Sequence, residues 1–389
     1  MKSDAERLGG VFRWVYMLHL SDFMLILPLG PLLLRAFELP AAALGQLVFA
    51  YTVSAGIAGV VLGALIHRCE RRALLLAVYA GFALALAATL AAPSLAWLLG
   101  ARVLAGLCGG VLSSLLQATV ADLVALERRA AALGQVATGH ALASVLGVPL
   151  GLAIASAFGW RLAFAALLLL ALPVGAVLAR RLPRRHPDAA GASGGATATA
   201  LLALAPAYLL TFAVSASAYA VGAYFAPYWI GNVGVGEAEL AYVYFAAGAV
   251  SLWSSPLIGR LADRRGRFEV FAAVMALSIA VIVLVTRSGA LPLALAVALG
   301  AAYFVTAYGR WIPALALLSA LPRAEQRAGF MMINGVVTQL SMGAGALIAA
   351  GMIEIDAAGR VAGFDRVGAF AVALSLAAIA LARRLARRR

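Results

Sequence analysis

One aspartate, Asp22, stands far inside a long apolar run, and no other acidic residue lies at comparable depth. A lone ionised carboxylate in hydrocarbon costs about 2.5–3.5 kcal/mol on insertion scales, so such a group is either neutralised or at work. Burial disfavours the charged form of a carboxyl group, and a neighbouring guanidinium favours it. An arginine that approaches and withdraws can therefore drive off a proton and readmit it. Arg102, inside another apolar run, is the candidate partner, with a fixed Asp–Arg tie as the structural alternative. His19 lies one turn before Asp22 on the same face. It could relay a proton near neutral pH, or serve as a hydrogen-bonded packing residue. His140, with Ser144 a turn later, reads as a polar cavity group and not as a titrating one.

Other polar residues recur at three- and four-residue spacing, the signature of one helix face. The stripes are Tyr208, Thr211, Ser215 and Tyr219; Tyr303, Thr306 and Arg310, with Tyr308 and Trp311 beside them; and Asn334, Thr338 and Ser341. A fourth runs through Arg102, Gly106, Gly109, Ser113 and Gln117. Hydrogen bonds between helices and close packing account for any single Ser, Thr or Gly. A buried cation needs a stronger reason, so Arg310 is expected to face a cavity. The candidate cavity residues are Gln117, His140, Tyr219, Tyr303, Thr306, Arg310, Asn334 and Thr338. Aromatic rings among Tyr219, Tyr224, Tyr242, Tyr244, Trp253, Tyr303, Tyr308 and Trp311 could stack on a sugar ring or an amphipathic drug. Arg102 and Arg310 would tolerate an anionic group, whereas a single buried acid argues against a multiply cationic substrate.

These residues need elements to hold them, and composition says which. Of 389 residues, 64% are hydrophobic and 12% charged, with a mean hydropathy of +0.99. Soluble domains are closer to half apolar and a quarter charged, so the bilayer is the solvent. The chain reads as an all-α polytopic membrane protein. Twelve transmembrane helices are expected at 11–34, 42–66, 73–91, 96–120, 131–157, 160–178, 201–225, 240–261, 268–286, 291–318, 330–353 and 367–382. The formal charge of +14 suggests nucleic acid in isolation, but the basic residues flank apolar runs instead of lining a soluble face. Most of the 30 Lys and Arg fall on the side of both termini; Arg35, Arg161, Arg287, Arg360 and Arg366 fall on the other. The termini are therefore expected in the cytoplasm, the protein being a multi-pass component of a bacterial inner membrane. No cleavable signal is evident after Met1, and Cys69 and Cys108 suggest no disulfide framework.

The polar stretch Arg180 to Thr199 reads as a linker, dividing a bundle over 1–179 from one over 200–389. The halves look like repeats: Gly63 to Arg72 recurs at Gly259 to Phe268, and Glu127-Arg128-Arg129 at Glu325-Gln326-Arg327, at nearly constant displacement. The third, sixth, ninth and twelfth spans are almost without polar residues, and the other eight carry them. Eight helices should then line a wet path between bundles while four face lipid. There is no Gly-x-Ser-x-Gly elbow, phosphate loop, metal-ligand cluster or intramembrane carboxylate pair, so no catalytic activity, cofactor or metal is expected. A membrane-embedded enzyme or receptor is the different-class alternative.

Gly259, followed three residues later by Asp263-Arg264-Arg265-Gly266-Arg267, resembles the signature loop of the major facilitator superfamily, at the position of its second copy. The first copy keeps Gly63, Arg68, Arg71 and Arg72 but has His67 for Asp and Glu70 for Gly, which leaves Asp263 to dominate closure at that edge. Arg102-Val-Leu-Ala-Gly106 resembles the fourth-span motif. Gly147-Val-Pro149-Leu-Gly151, followed by Phe158-Gly-Trp160-Arg161, resembles the fifth-span motif of the drug:proton antiporter and sugar-efflux branch. The opening Asp22 to Pro31 is similar to arabinose-efflux-type permeases. The resemblance implies a rocker-switch fold and the export of a small drug- or sugar-like molecule in exchange for protons by a monomer. Symport and facilitated diffusion stay open, because a carboxylate and a cavity serve all three.

Overall fold

The structure, a computed structural model, describes residues 4–65, 69–124, 126–183, 204–323, 326–356 and 358–387. His67, Arg68, His186, Glu325 and the expected linker from residue 184 onward lie outside the described residues. Among the described residues eleven helices are each long and apolar enough to cross a membrane, and the bent pair Gly9–Leu25 and Gly30–Ala36, taken as one span, makes a twelfth. That pair is span one. Spans two to six are Ala42–Leu62, Arg71–Leu90, Leu95–Val120, Ala132–Phe158 and Trp160–Arg181. Spans seven to twelve are Ala205–Val233, Leu240–Arg265, Arg267–Arg287, Leu293–Leu318, Gly329–Ala350 and Phe364–Arg387.

Hydropathy alone reads span one as continuous, but it bends by 59° between its two parts. Pro28 offers no N–H to the preceding turn, and Gly30-Pro31 follows at once, so the ladder stops and restarts. Span five keeps its direction through a π-helical turn, Ala143–Gly147. The turn lies just ahead of Pro149, whose missing N–H leaves the Val145 carbonyl without its helical donor. Span ten breaks at Arg310, between Leu293–Gly309 and Trp311–Leu318, three residues before Pro313.

The same neighbours recur in each half. Span one packs on five and six as seven packs on eleven and twelve; span two packs on four as eight packs on ten; and span three packs on four and six as nine packs on ten and twelve. The two bundles meet where span two lies along span eleven and where span five crosses span eight. Lipid supplies no hydrophobic force between helices, so these joins rest on close backbone approach at small residues. A Cβ on Gly45 would stand 2.9 Å from the Ala346 carbonyl oxygen, and one on Gly248 2.9 Å from that of Ser144. Spans three, six, nine and twelve turn exposed Leu84, Leu169, Leu284 and Leu376 outward.

An even number of spans puts both chain ends on one face, called here the terminal face. On the opposite face the halves are tied together. Arg35 pairs with Glu237, and the Tyr224 hydroxyl donates to the Ala41 carbonyl at 3.1 Å. A short hairpin, β1 (Glu354–Ile355) with β2 (Val361–Ala362), sits on the end of span seven. There Asn232 donates to the Val361 carbonyl at 3.0 Å and accepts from its N–H at 2.8 Å.

Candidate functional site

Asp22 and Arg102, 80 residues apart, meet inside the first bundle. Arg102 Nη1 donates to Asp22 Oδ2 at 3.1 Å, and Nη2 lies 3.0 Å from Oδ1. Nη2 also donates to Thr89 Oγ1 at 2.6 Å, and the guanidinium stands 5.6 Å from the Phe164 ring. Both charged side chains are almost fully buried. Spans one, three, four and six each contribute one of these four residues, so the pair sits behind the meeting line of the bundles. Its depth follows from helix rise: Arg102 is seven residues beyond Leu95, roughly 10 Å in from the opposite face. His19 is buried one turn from Asp22, near Tyr16, and among the described residues neither ring nitrogen has a hydrogen-bond partner.

Arg310 does not face a cavity, contrary to the expectation from its stripe. Its side chain is wholly buried inside the second bundle. Nη1 reaches Met275 Sδ at 3.5 Å, Ser278 Oγ at 3.4 Å and Ser375 Oγ at 3.5 Å, and Nη2 donates to the Val214 carbonyl at 3.2 Å. Among the described residues no carboxylate meets it. The rest of the stripe is turned the same way. Tyr303 donates to the Ala218 carbonyl at 2.7 Å, and Thr306 bonds to its own helix. Asn334 accepts from Thr211 at 2.6 Å, and Thr338 donates to the Asn334 carbonyl. These are ties within one bundle. Gln117 is exposed and does not line the cleft between the bundles. The spans that looked empty supply what the arginines need: Thr89 from span three, Met275 and Ser278 from span nine, and Ser375 from span twelve.

A narrow cleft of about 20 Å³ lies where the bundles meet. Phe23 and Met24 line it from span one, Tyr219 from span seven, Tyr244 from span eight, and Phe304 and Tyr308 from span ten. The rings are arranged as neighbours: Phe23 to Tyr219 at 6.1 Å, Tyr244 to Phe304 at 4.8 Å, and Phe304 to Tyr308 at 6.2 Å. His140 approaches Tyr308 edge-on at 6.3 Å. Of the expected cavity residues, Tyr219 lines this cleft and His140 adjoins it. Phe23, Met24 and Phe304 escaped the sequence reading. On span ten the eye follows the polar stripe 303, 306, 310, whereas 304 and 308, about 100° around the helix, face the cleft. Aromaticity on that second stripe was the one available signal.

Asp263 and Arg264 are exposed at the terminal face, and among the described residues Asp263 has no ion-pair partner. Gly259 lies one turn earlier. Gly266 turns the chain from span eight to nine at φ +103°, a conformation that favours glycine, and Arg267 then donates to the Ala316 carbonyl at 3.0 Å. The glycines of the fifth-span motif pack on span one. A Cβ on Gly147 would strike Ser21, and one on Gly151 would come within 2.8 Å of Leu25, with Pro149 buried between. The Arg35–Glu237 pair had no sequence signal beyond the scarcity of basic residues on that face.

The sequence model described as Major Facilitator Superfamily matches residues 14–346. A chloramphenicol resistance protein of Streptomyces lividans is 28% identical over 250 residues, which is 63% of this chain and 64% of that protein's length. The fold matches a bacterial homolog of the human lysosomal transporter Spinster, inward-facing and unoccupied, at a TM-score of 0.78 and 14% identity, covering 100% of this chain and 99% of the other. A variant of the nucleoside transporter NupG matches at a TM-score of 0.73 and 11% identity, covering 99% of each chain.

Proposed function

The chain belongs to the Major Facilitator Superfamily, as a transporter and not an enzyme, and on that premise we propose that it exports uncharged aromatic amphiphiles in exchange for protons. One observation carries the substrate class. The cleft between the bundles is walled by Phe23, Met24, Tyr219, Tyr244, Phe304 and Tyr308, and no charged side chain lines it. An arene gains about 0.5–1.5 kcal/mol per well-placed ring pair beyond its burial, and the tyrosine hydroxyls can bond its polar groups. A cation meets no carboxylate there. An anion meets no guanidinium, because Arg102 and Arg310 point into their own bundles. A sugar would leave most of its hydroxyls against rings. Chloramphenicol is itself an uncharged aromatic amphiphile, and the partial likeness to a chloramphenicol resistance protein supports the reading. Thermal unfolding of the purified protein with chloramphenicol, arabinose, an organic anion and an organic cation tests it. Stabilisation by chloramphenicol alone is expected; stabilisation by arabinose or by either ion in its place would overturn it.

For coupling, Asp22 carries the proton and Arg102 is its switchable partner, with His19 next in line. While the guanidinium is in place, Asp22 holds its charge. When rocking draws span four from span one, the buried carboxyl takes a proton. Basic residues at the terminal face support placing it in the cytoplasm of a bacterial inner membrane. Asp22→Asn imitates the protonated form and should lose pH-gradient-driven transport in proteoliposomes while keeping counterflow. Proton movement at the parental ratio in that variant would transfer the role to His19 or His140. Substrate movement without any proton movement in the parent would make the protein a uniporter.

A further inference from the structure

A groove of about 280 Å³ lies between spans nine and twelve at the opposite face, away from the cleft and open toward lipid. Its mouth holds two charged side chains, Arg287, the last residue of span nine, and Asp365, the second of span twelve. Among the described residues neither has a hydrogen-bond or ion-pair partner. Tyr228, the phenol close to Asp365, is engaged, donating to the Ser288 carbonyl at 2.6 Å. Below the mouth the floor is apolar, running past Gly368 and Val372 to Leu376. Leu376 lies eleven residues along the helix from Asp365, a rise of roughly 16 Å. That is about half of the ~30 Å hydrocarbon core, one leaflet deep.

The corresponding place in the first bundle is packed differently. Thr89 and Thr286 each stand one residue before the end of their helices. Around Thr89 the space is filled by Arg102 and the fully buried ring of Phe164. Against Thr286 stands Gly368, so close that a Cβ there would strike the threonine.

An apolar trough one leaflet deep, with a cation and an anion at its mouth, is the complement of one kind of molecule. We propose that it binds a phospholipid with a primary-ammonium headgroup, of the phosphatidylethanolamine type. Arg287 takes the phosphate, Asp365 accepts from the ammonium, and one acyl chain lies along Val372 and Leu376. A phosphatidylglycerol offers the phosphate without the ammonium. A phosphatidylcholine offers a quaternary nitrogen that donates no hydrogen bond. Charge-assisted hydrogen bonds are the strong ones, so the distinction should be large.

The test is native mass spectrometry of delipidated protein titrated separately with dioleoyl-phosphatidylethanolamine, -choline and -glycerol. The parent should retain one phosphatidylethanolamine, with the other two about tenfold weaker or more. Arg287→Gln should weaken all three. Asp365→Asn should reduce phosphatidylethanolamine to the level of phosphatidylcholine and leave the other two unchanged. Ala373→Phe, on the exposed rim, should fill the groove and abolish the one-to-one adduct. Equal binding of the three lipids by the parent overturns the proposal, as does parental phosphatidylethanolamine binding in both charge variants. Arg287 and Asp365 are exposed, so those variants decide the matter even if Ala373→Phe does not fold.

Discussion

Replacing Asp22 by Asn should destabilise the protein by roughly 2 kcal/mol, and most of that loss should vanish when Arg102 is replaced as well. The magnitude follows from the two contacts at 3.0 and 3.1 Å. Removing one partner of a buried pair costs about 3–5 kcal/mol, because the other charge is left without compensation. Asparagine keeps one carbonyl oxygen for Arg102, and a hydrogen bond to a charged group contributes about 1.5–3 kcal/mol. Its amide nitrogen sets a donor against the second guanidinium nitrogen, so only one contact survives. Arg102→Met alone strands a carboxylate and frees Thr89, but the carboxyl can take up a proton. In the double variant neither charge remains, and the loss is that of packing. Unfolding of parent, both single variants and the double variant in bilayer-like bicelles measures the coupling, which should be about 2 kcal/mol or more. Additivity within about 0.5 kcal/mol, the usual result for independent sites, would refute the reasoning.

Arg310→Met should cost no more than about 1 kcal/mol, since every described acceptor of Arg310 is neutral and none is left as a bare charge; the same unfolding assay checks it against Arg102→Met. Glu237→Gln releases Arg35, and because an exposed ion pair contributes about 0.2–1 kcal/mol, cysteine accessibility at the opposite face should rise no more than about fivefold. Tyr219→Ala removes a ring beside Phe23 and should weaken chloramphenicol binding about two- to tenfold, read on the fraction that stays folded. Asp263→Asn should bias the carrier toward one facing state in cysteine-accessibility assays, and equal labelling of variant and parent would count against a role in closure.

Hydropathy and helical spacing made the spans and their order legible, because lipid leaves a long apolar run no alternative to a helix. The meeting of Asp22 with Arg102 was legible from scarcity: a buried charge needs a partner, and the first half offers one of each sign. Arg310 shows where this logic stops. A stripe at three- and four-residue spacing names a face of a helix but not the neighbour that face meets. In span ten the polar face meets the backbone of span seven and two serines of lipid-facing helices. The aromatic face meets the cleft. The bend in span one and the break at Arg310 lie beside one or two prolines, which hydropathy averages away.

The two buried arginines differ in one respect that bears on voltage. Arg102 stands against Asp22, so the two together are neutral and feel no net force in a membrane field. Arg310 lies seventeen residues beyond Leu293, roughly 25 Å from the opposite face, and among the described residues it carries its charge alone. A full crossing of one charge is worth about 2.3 kcal/mol per 100 mV, so a tilt of the second bundle that carries Arg310 a tenth of the way does about 0.2 kcal/mol of electrical work. While Asp22 is ionised, the first bundle can tilt through the same angle with none from its Asp–Arg pair. A resting potential would then bias the cycle through one half of the protein, in an empty carrier as much as in a loaded one.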